Sequence, residues 1–497
     1  MLIDRLRITT SRSGHTNVEV DGLPYHSAYD PEGECRKFYS ALSLEKVDVV
    51  LHFGWGLGYS GAVLQQRLKP SARILVLEPD EDLFKLFCSE TKNAHLLKDE
   101  RFQFVVGDQA RRFFDTWNLN QCQENDNFLW IEWPAAARLQ PELANSLKAS
   151  FRTQLRDTAA NLLTHFQNGK TYFTNAIANF RYAADPVAGR LFNKFTGVPL
   201  VLVSAGPSLD RNIRYLAGLE SRCFILAVDT ALRPLLAAGI IPHAVVMADP
   251  SALNARHVIG AMPPETFLIA EQAVDPAAMA AASKRFLFSV GVYPDSLFRE
   301  FDLPRTPIEV WGSVATAALN LACDFGCNPI IMAGQDFAYS WGRDYASHTI
   351  YHNDVFEAHS PRFVHVPDVW GRMVPTTENL VAYRDYFVRR FRATQGIRFI
   401  NATEGGILSE GVELLPLRDA IYQACGPTLP IRQTLEDCHK VQQRSLDLKG
   451  HLQLVLSSRS TRCGCLDGFL ELVAKEALMK RDAAGIESAI GWGLSEL

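Results

Sequence analysis

The chain is short of long apolar runs. Its most apolar region, 224–247, is broken by Asp229, Arg233, Pro234 and Pro242, so no stretch is expected to span a bilayer. The segment 1–11 has no charged region followed by an apolar one, so no secretory leader is expected and the cytoplasm is the expected location. Charge of one sign is not in excess. With 50 basic and 55 acidic side chains the net charge is -5, which argues against a protein whose main business is coating nucleic acid. Metal-binding cysteine patterns are missing too. Ten cysteines are scattered, and the close pairs Cys323 with Cys327 and Cys463 with Cys465 lack the spacing of a structural zinc site. Buried or incidental thiols are expected. The sequence also lacks a Gly-Lys-Ser/Thr P-loop, a Gly-x-Ser-x-Gly elbow, a His-Glu-x-x-His pair and a kinase motif set. No segment repeats at a fixed period and none is low in complexity.

What remains is an ordinary globular composition, 47% hydrophobic and 21% charged, on a chain of 497 residues. That length exceeds what one core usually serves, so several domains are expected. The pattern divides the chain into an N-terminal Rossmann-like domain (1–140), a helical linker region (141–190), a central α/β domain (191–428) and a helical C-terminal region (429–497). The fold class is therefore α/β, with two Rossmann-like parallel-sheet domains.

The first 46 residues read as polar and irregular, with a helix over 34–42. Strands follow at 47–53, 73–77, 102–106 and 128–132, with helices at 59–68 and 80–88. Between the first two strands lies Gly54-Trp55-Gly56-Leu57-Gly58, and Glu78 follows 20 residues after the last glycine. Glycines that admit a phosphate and an acid that grips a ribose are what a nucleotide site needs. Asp108 is placed to reach an adenine. The opposing reading is a retained scaffold without catalysis, because the motif stands alone and Trp55 sits inside the turn. From Pro141 onward Leu143, Leu147, Phe151, Leu155, Ala159, Leu162 and Phe166 recur at helical spacing, and two helices are expected before a hinge at 185–189.

The central domain is organised around residues 199–249, where three short apolar runs end in small or acidic residues. Alternation of such runs with helix-length segments (209–219, 231–239) signals parallel strands buried on both faces. Ligands of such sheets sit outside the carboxyl ends of the strands, which puts Ser204–Ser208, Asp229 and Asp249 on one rim. Gly206, Pro207 and Ser208 form a tight turn whose amides, with that of Leu209, are expected to face an anion. Asp336 with Gln335 ends a later strand, and Asn401, Thr403 and Glu404 end the strand after that. Gly312 and Ser313, before a helix over 314–325, form a second anion-friendly helix start. Carboxylates gathered on a rim suit a sugar, a ribose or a metal. Each could also be an ordinary helix cap. The stretch 341–371 is long, irregular and histidine-rich, as binding loops often are. His348 is the candidate general base, with His352 and His359 as rivals. Pro375 is expected to open a helix that Gly396 ends, and the chain beyond Leu429 reads as helical.

Six ordered segments then resemble a known motif series: Val203-Ser204-Ala205-Gly206-Pro207-Ser208-Leu209, Ala227-Val228-Asp229-Thr230-Ala231-Leu232, Gly239-Ile240-Ile241-Pro242-His243 ending at Asp249, Gly312-Ser313-Val314-Ala315-Thr316-Ala317-Ala318, Gly334-Gln335-Asp336-Phe337-Ala338 and Asn401-Ala402-Thr403-Glu404-Gly405-Gly406. They are similar to those of the motility-associated factor (Maf) proteins, bacterial flagellin glycosyltransferases. The same domain resembles the archaeal 6-hydroxymethylpterin pyrophosphokinase. The resemblance implies a sialyltransferase-like central domain. It also implies transfer of a nonulosonic acid, of pseudaminic or legionaminic type, from a CMP-sugar donor to Ser or Thr hydroxyls of flagellin, without membrane insertion. By the same resemblance Gly206, Pro207 and Ser208 would face the donor phosphate and Asp229 the cytidine or ribose. Asp249, Gln335 and Asp336 would line the sugar, and His348 would be the base. Where relatives carry Asp-Gly-x-Thr-His after the Asp336 strand, this chain reads Trp341-Gly342-Arg343-Asp344-Tyr345-Ala346-Ser347-His348. No firm cofactor is implied. The competing readings are ATP-dependent pyrophosphoryl transfer to a pterin, with Mg²⁺ on Asp229, Asp249 or Asp336, and a non-catalytic flagellin-binding assembly factor.

Overall fold

The computed structural model describes residues 5–90, 93–117, 126–290, 303, 305–351 and 363–440. His352, His359, Cys463, Cys465 and the helical reading beyond residue 440 lie outside the described residues. The chain divides into two compact units, Met1–Ala160 and Asn161–Leu497. Among the described residues no helix is long and apolar enough to cross a membrane.

The first unit is built on a four-stranded parallel sheet. Its strands are β4 (Val49–Phe53), β5 (Arg73–Glu78), β6 (Phe102–Val106) and β7 (Phe128–Glu132), in the order β6-β5-β4-β7. Every residue of β4 is buried, as expected of a strand covered on both faces. The first 46 residues are more regular than expected. They form a three-stranded antiparallel sheet of β1 (Leu6–Thr10), β2 (Thr16–Val20) and β3 (Leu23–Pro24). These strands are short and polar on one face, and each of the first two offers a single alternating apolar pair, Leu6 with Ile8 and Val18 with Val20.

The helix Pro141–Ala178 runs unbroken for 38 residues where two helices were expected. No proline interrupts it after Pro141, and a lone glycine, Gly169, costs too little to break a helix held by packing.

The second unit holds a nine-stranded sheet. Its strands are β8 (Leu200–Val203), β9 (Phe224–Val228), β10 (Ala244–Met247), β11 (Phe267–Glu271), β12 (Lys284–Ser289), β13 (Thr306–Pro307), β14 (Ile330–Ala333), β17 (Phe399–Asn401) and β18 (Glu413–Leu414). The order is β13-β12-β11-β10-β9-β8-β14-β17-β18, and every neighbouring pair is parallel. Strands β8 to β11 are buried along their whole length. The chain starts at β8, runs outward to β13, then returns to the other side of β8. The direction of winding therefore reverses between β8 and β14, and a crevice opens at the carboxyl ends of such a pair.

Local differences from the sequence reading have physical causes. The segment 209–219 is not one helix but a short turn of helix, Leu209–Asn212, followed by a 3-10 turn, Ile213–Leu216. Asn212 turns its side chain away to bond other backbone groups, described below. The region 341–371 is not wholly irregular, because β15 (Val364–Pro367) begins within it and pairs with β16 (Met373–Thr376) as a hairpin. Pro375 sits in β16, and Thr377 starts the helix Glu378–Ala393 by accepting the Leu380 amide at 3.4 Å.

Candidate functional site

The parallel order brings the ends of β8, β9, β10, β14 and β17 to one rim, as the sequence pattern required. At β8 and β14 the polar residues bond each other. The Ser208 hydroxyl donates to Asp336 Oδ2 at 2.5 Å, and the Ser208 amide reaches the same oxygen at 3.3 Å. The Ser204 hydroxyl donates to Gln335 Oε1 at 2.6 Å. Gly206 donates its amide to the Gly334 carbonyl, and Leu209 donates to the Gly206 carbonyl. A side chain at position 206 would strike the Asp336 carboxylate, which explains the glycine.

The expected open anion seat at Ser204–Ser208 is therefore closed. All three amides thought to face a phosphate have protein acceptors, and Ser208 is fully buried. A carboxylate already stands where the phosphate was expected.

The β17 end continues this lattice. Thr403 Oγ1 accepts the Gln335 amide at 3.1 Å, and Asn401 bonds the Leu408 carbonyl and the Thr403 amide. Glu404 accepts from the Leu417 amide and from Asn212 Nδ2. Asn212 also donates to the carbonyls of Ala402 and Thr403. Nothing local marks Asn212, whose partners lie some 190 residues away. Burial pushes the Asp336 carboxyl up to about 6 even though the Ser208 bonds oppose it.

At β9 and β10 the groups are less committed. Asp229 is 3% exposed; Oδ1 accepts the Thr230 amide, and Oδ2 has no hydrogen-bond partner among the described residues. Burial, with the charge of nearby Asp249, raises the Asp229 carboxyl to about 7. Asp249 is partly exposed and accepts the Ser251 amide. Two groups beside them were missed in the sequence. Glu271 ends β11, and His257 is buried with neither ring nitrogen hydrogen-bonded among the described residues. Burial lowers the His257 imidazole to about 4, so it is neutral near pH 7. A strand-end acid after an apolar run was the available signal for Glu271; nothing marked His257.

The long connection after β14 folds back along the rim. The Ala346 amide donates to the Ala205 carbonyl, and Asp210 accepts bonds from Arg343 and from the Ser347 amide and hydroxyl. Tyr351 donates to Asn254 Oδ1 at 3.2 Å and meets His257 edge-on. Tyr345 lies close enough to Asp229 for that charge to help hold its hydroxyl up at about 12, behind burial as the main cause. His348 stands in this stretch, exposed and at a φ of 67°. Its backbone is placed along the rim, and its ring makes no hydrogen bond among the described residues. Ser313 caps the helix Val314–Asp324 by accepting the Ala315 amide, and Gly312 is exposed beside Tyr383.

The glycine turn of the first unit is filled by protein. Glu78 accepts the amides of Trp55, Gly56 and Asp80 at 2.8, 3.2 and 3.0 Å, and the Leu57 amide donates to His26 Nε2. Side chains added at Gly54 and Gly56 would strike Tyr25 and His26. The Trp55 ring is buried against Phe87, Phe102 and Phe104, and Asp108 points into solvent with 96% exposure. The acid and the amides that a nucleotide site would use bond each other within the turn.

Residues 174–342 match the model of the family described as 6-hydroxymethylpterin diphosphokinase MptE-like. The solved structure of the MAf glycosyltransferase from Magnetospirillum magneticum AMB-1 aligns over 98% of this chain and 85% of its own, with a TM-score of 0.53 and 16% identity. The chain thus has the Maf glycosyltransferase fold with an MptE-like segment at its centre, as the motif series implied. An uncharacterized protein of Treponema pallidum (strain Nichols) is 25% identical over 348 residues, 68% of this chain. A second uncharacterized protein of that organism is 22% identical over 220 residues, 43% of this chain. The match spans 60% of the first relative and 74% of the second.

Proposed function

We propose that the protein is a cytoplasmic glycosyltransferase that moves a nonulosonic acid, of pseudaminic or legionaminic type, from its CMP-activated form to Ser or Thr hydroxyls of flagellin. The observation that carries this reading is Asp229. On a Maf-type sheet its buried carboxyl stands at the rim near Asp249, with one oxygen that has no hydrogen-bond partner among the described residues. Burying such an oxygen costs free energy unless a ligand supplies a donor.

In this reading the acceptor oxygen attacks the anomeric carbon, and the bond from that carbon to the phosphate oxygen breaks. CMP leaves with the bonding electrons, and the acceptor proton passes to His348. Asp229 bonds the nucleotide, Asp249 the sugar. The Ser204–Gln335 and Ser208–Asp336 pairs, with Asn401, Thr403 and Glu404, hold the strand ends in register. Gly312 and Ser313 offer a helix start to a second charged group of the donor.

The test is calorimetry with CMP, followed by mass spectrometry of flagellin incubated with the CMP-sugar. Binding and a mass increase equal to one sugar are expected. Binding of flagellin without any mass increase would leave an assembly factor instead.

The match to the pterin family favours one other reading, pyrophosphoryl transfer from ATP. Among the described residues no three metal-ligating side chains converge. A magnesium ion would then be held by Asp229 or Asp249 together with substrate phosphates. ATP binding that requires Mg²⁺, with no response to CMP, would select this reading.

A further inference from the structure

The last turns of the helix Pro141–Ala178 carry Tyr172, Asn175 and Asn179 at spacings of three and four, hence on one face. Asn175 Nδ2 donates to the carbonyls of Pro250 and Ala273 at 2.8 and 3.0 Å. Asn179 Nδ2 donates to those of Gln272 and Val274 at 3.0 and 2.7 Å. These four carbonyls belong to the loops that leave β10 and β11, directly after Asp249 and Glu271. Both asparagines are buried, so each of their N–H groups is spent on fixing those loops.

One turn earlier on the face that Asn175 ties to Pro250 and Ala273, Tyr172 lies partly exposed, within range of the charges of Asp249 and Glu271. Burial and those two charges hold its hydroxyl well above the ordinary tyrosine range, so it remains a proton donor. Glu271 is 1% exposed and accepts the Ala273 amide at 2.5 Å, so it is tied to the same loop that Asn175 holds rather than open to solvent. At the neighbouring strand end stands Asp229 Oδ2, without a hydrogen-bond partner among the described residues and itself near Asp249. The helix face thus flanks the part of the rim that holds this oxygen.

We propose that Tyr172 and Asp249 together bind the hydroxyl and acylamido groups of the transferred sugar, and that Glu271, Asn175 and Asn179 are positioning residues for that pair. The inference rests on the glycosyltransferase reading. A phenol that donates beside a carboxylate that accepts matches the mixed donors and acceptors of a polyhydroxylated sugar. Sites built to bond such groups also discriminate strongly against sugars that lack them.

The experiment compares wild type with Tyr172→Phe and Asn175→Ala, all full length, using CMP-activated pseudaminic or legionaminic acid as donor. For Tyr172→Phe the donor KM is expected to rise about tenfold or more, as loss of one such bond does. Affinity for CMP alone should stay within about twofold. Asn175→Ala should show the same split between donor KM and CMP affinity. An unchanged donor KM in a transfer-active Tyr172→Phe protein overturns this inference alone. Parallel loss of CMP affinity also overturns it, by assigning Tyr172 to the nucleotide or to folding. Wild type that neither binds CMP nor transfers sugar overturns the glycosyltransferase reading and this inference with it.

Discussion

Ser208 donates its hydroxyl to Asp336 at 2.5 Å, across a sequence separation of 128 residues, at a point solvent barely reaches. The bond links the turn after β8 to the end of β14, on either side of the place where the sheet reverses its winding. Ser208→Ala should therefore reduce stability by about 1–3 kcal/mol, the usual cost of leaving a buried acceptor short of its donor. It should also lower turnover, by loosening the turn. Denaturant midpoints for Ser208→Ala, Asp336→Asn and the double variant check this. Effects that simply add would show that the two residues are not coupled.

Asp229→Asn separates ionisation from shape, because Oδ2 has no partner among the described residues to lose. The folded-state carboxyl titrates near 7 against an ordinary 3.8, so its stabilising contribution is complete at low pH and is lost as pH rises through 7. The asparagine variant lacks this loss. Its stability relative to wild type should therefore increase between pH 5 and pH 8, by about 3 kcal/mol at most. Paired chemical denaturation at the two pH values measures the change. No pH dependence in the difference would mean that Asp229 is not the buried titrating group described above.

His348→Ala should abolish transfer to flagellin while leaving CMP affinity within about twofold. The side chain is exposed and its ring makes no hydrogen bond among the described residues, so little stability is at stake. A full transfer rate in this variant would assign the base to another group on the rim, with His257 the next to test.

Gly56→Ala tests whether the first unit's glycine turn is a filled scaffold. The residue has a φ of 62°, and an added Cβ would lie 2.5 Å from Tyr25 and His26 atoms. Destabilisation of about 2 kcal/mol or more is expected, seen as a fall of several degrees in Tm. ATP and S-adenosylmethionine should not raise the Tm of the wild-type unit. An alanine variant as stable as wild type would mean that the turn is open.

The strand ends were legible in the sequence because buried parallel strands write continuous apolar runs, and the residue that ends each run is read directly. Asp229, Asp249 and Asp336 were read by that rule, and Glu271 follows it too although it was missed. What those residues bond was not legible. Ser208 and Asp336, or Asn212 and the Ala402 carbonyl, meet through the order of strands in the sheet, and no local spacing encodes that order. The Ser204–Ser208 turn has the composition of an anion site, yet its amides are consumed by a partner the sequence places far away. Asn175 and Asn179 looked like ordinary polar positions on a helix. Their role depends on loops from two other strands arriving at the same height. The N-terminal sheet was missed for a simpler reason, since five-residue strands with one wet face give only two or three informative positions.

Each functional strand end arrives on its own pass of the chain, and all nine passes run in the same direction. Chemistry and architecture are thus written in separate parts of the sequence. On the proposed reading, exchanging the residues that follow β9 or β10 would change which ligand the rim accepts while leaving the buried strands as they are.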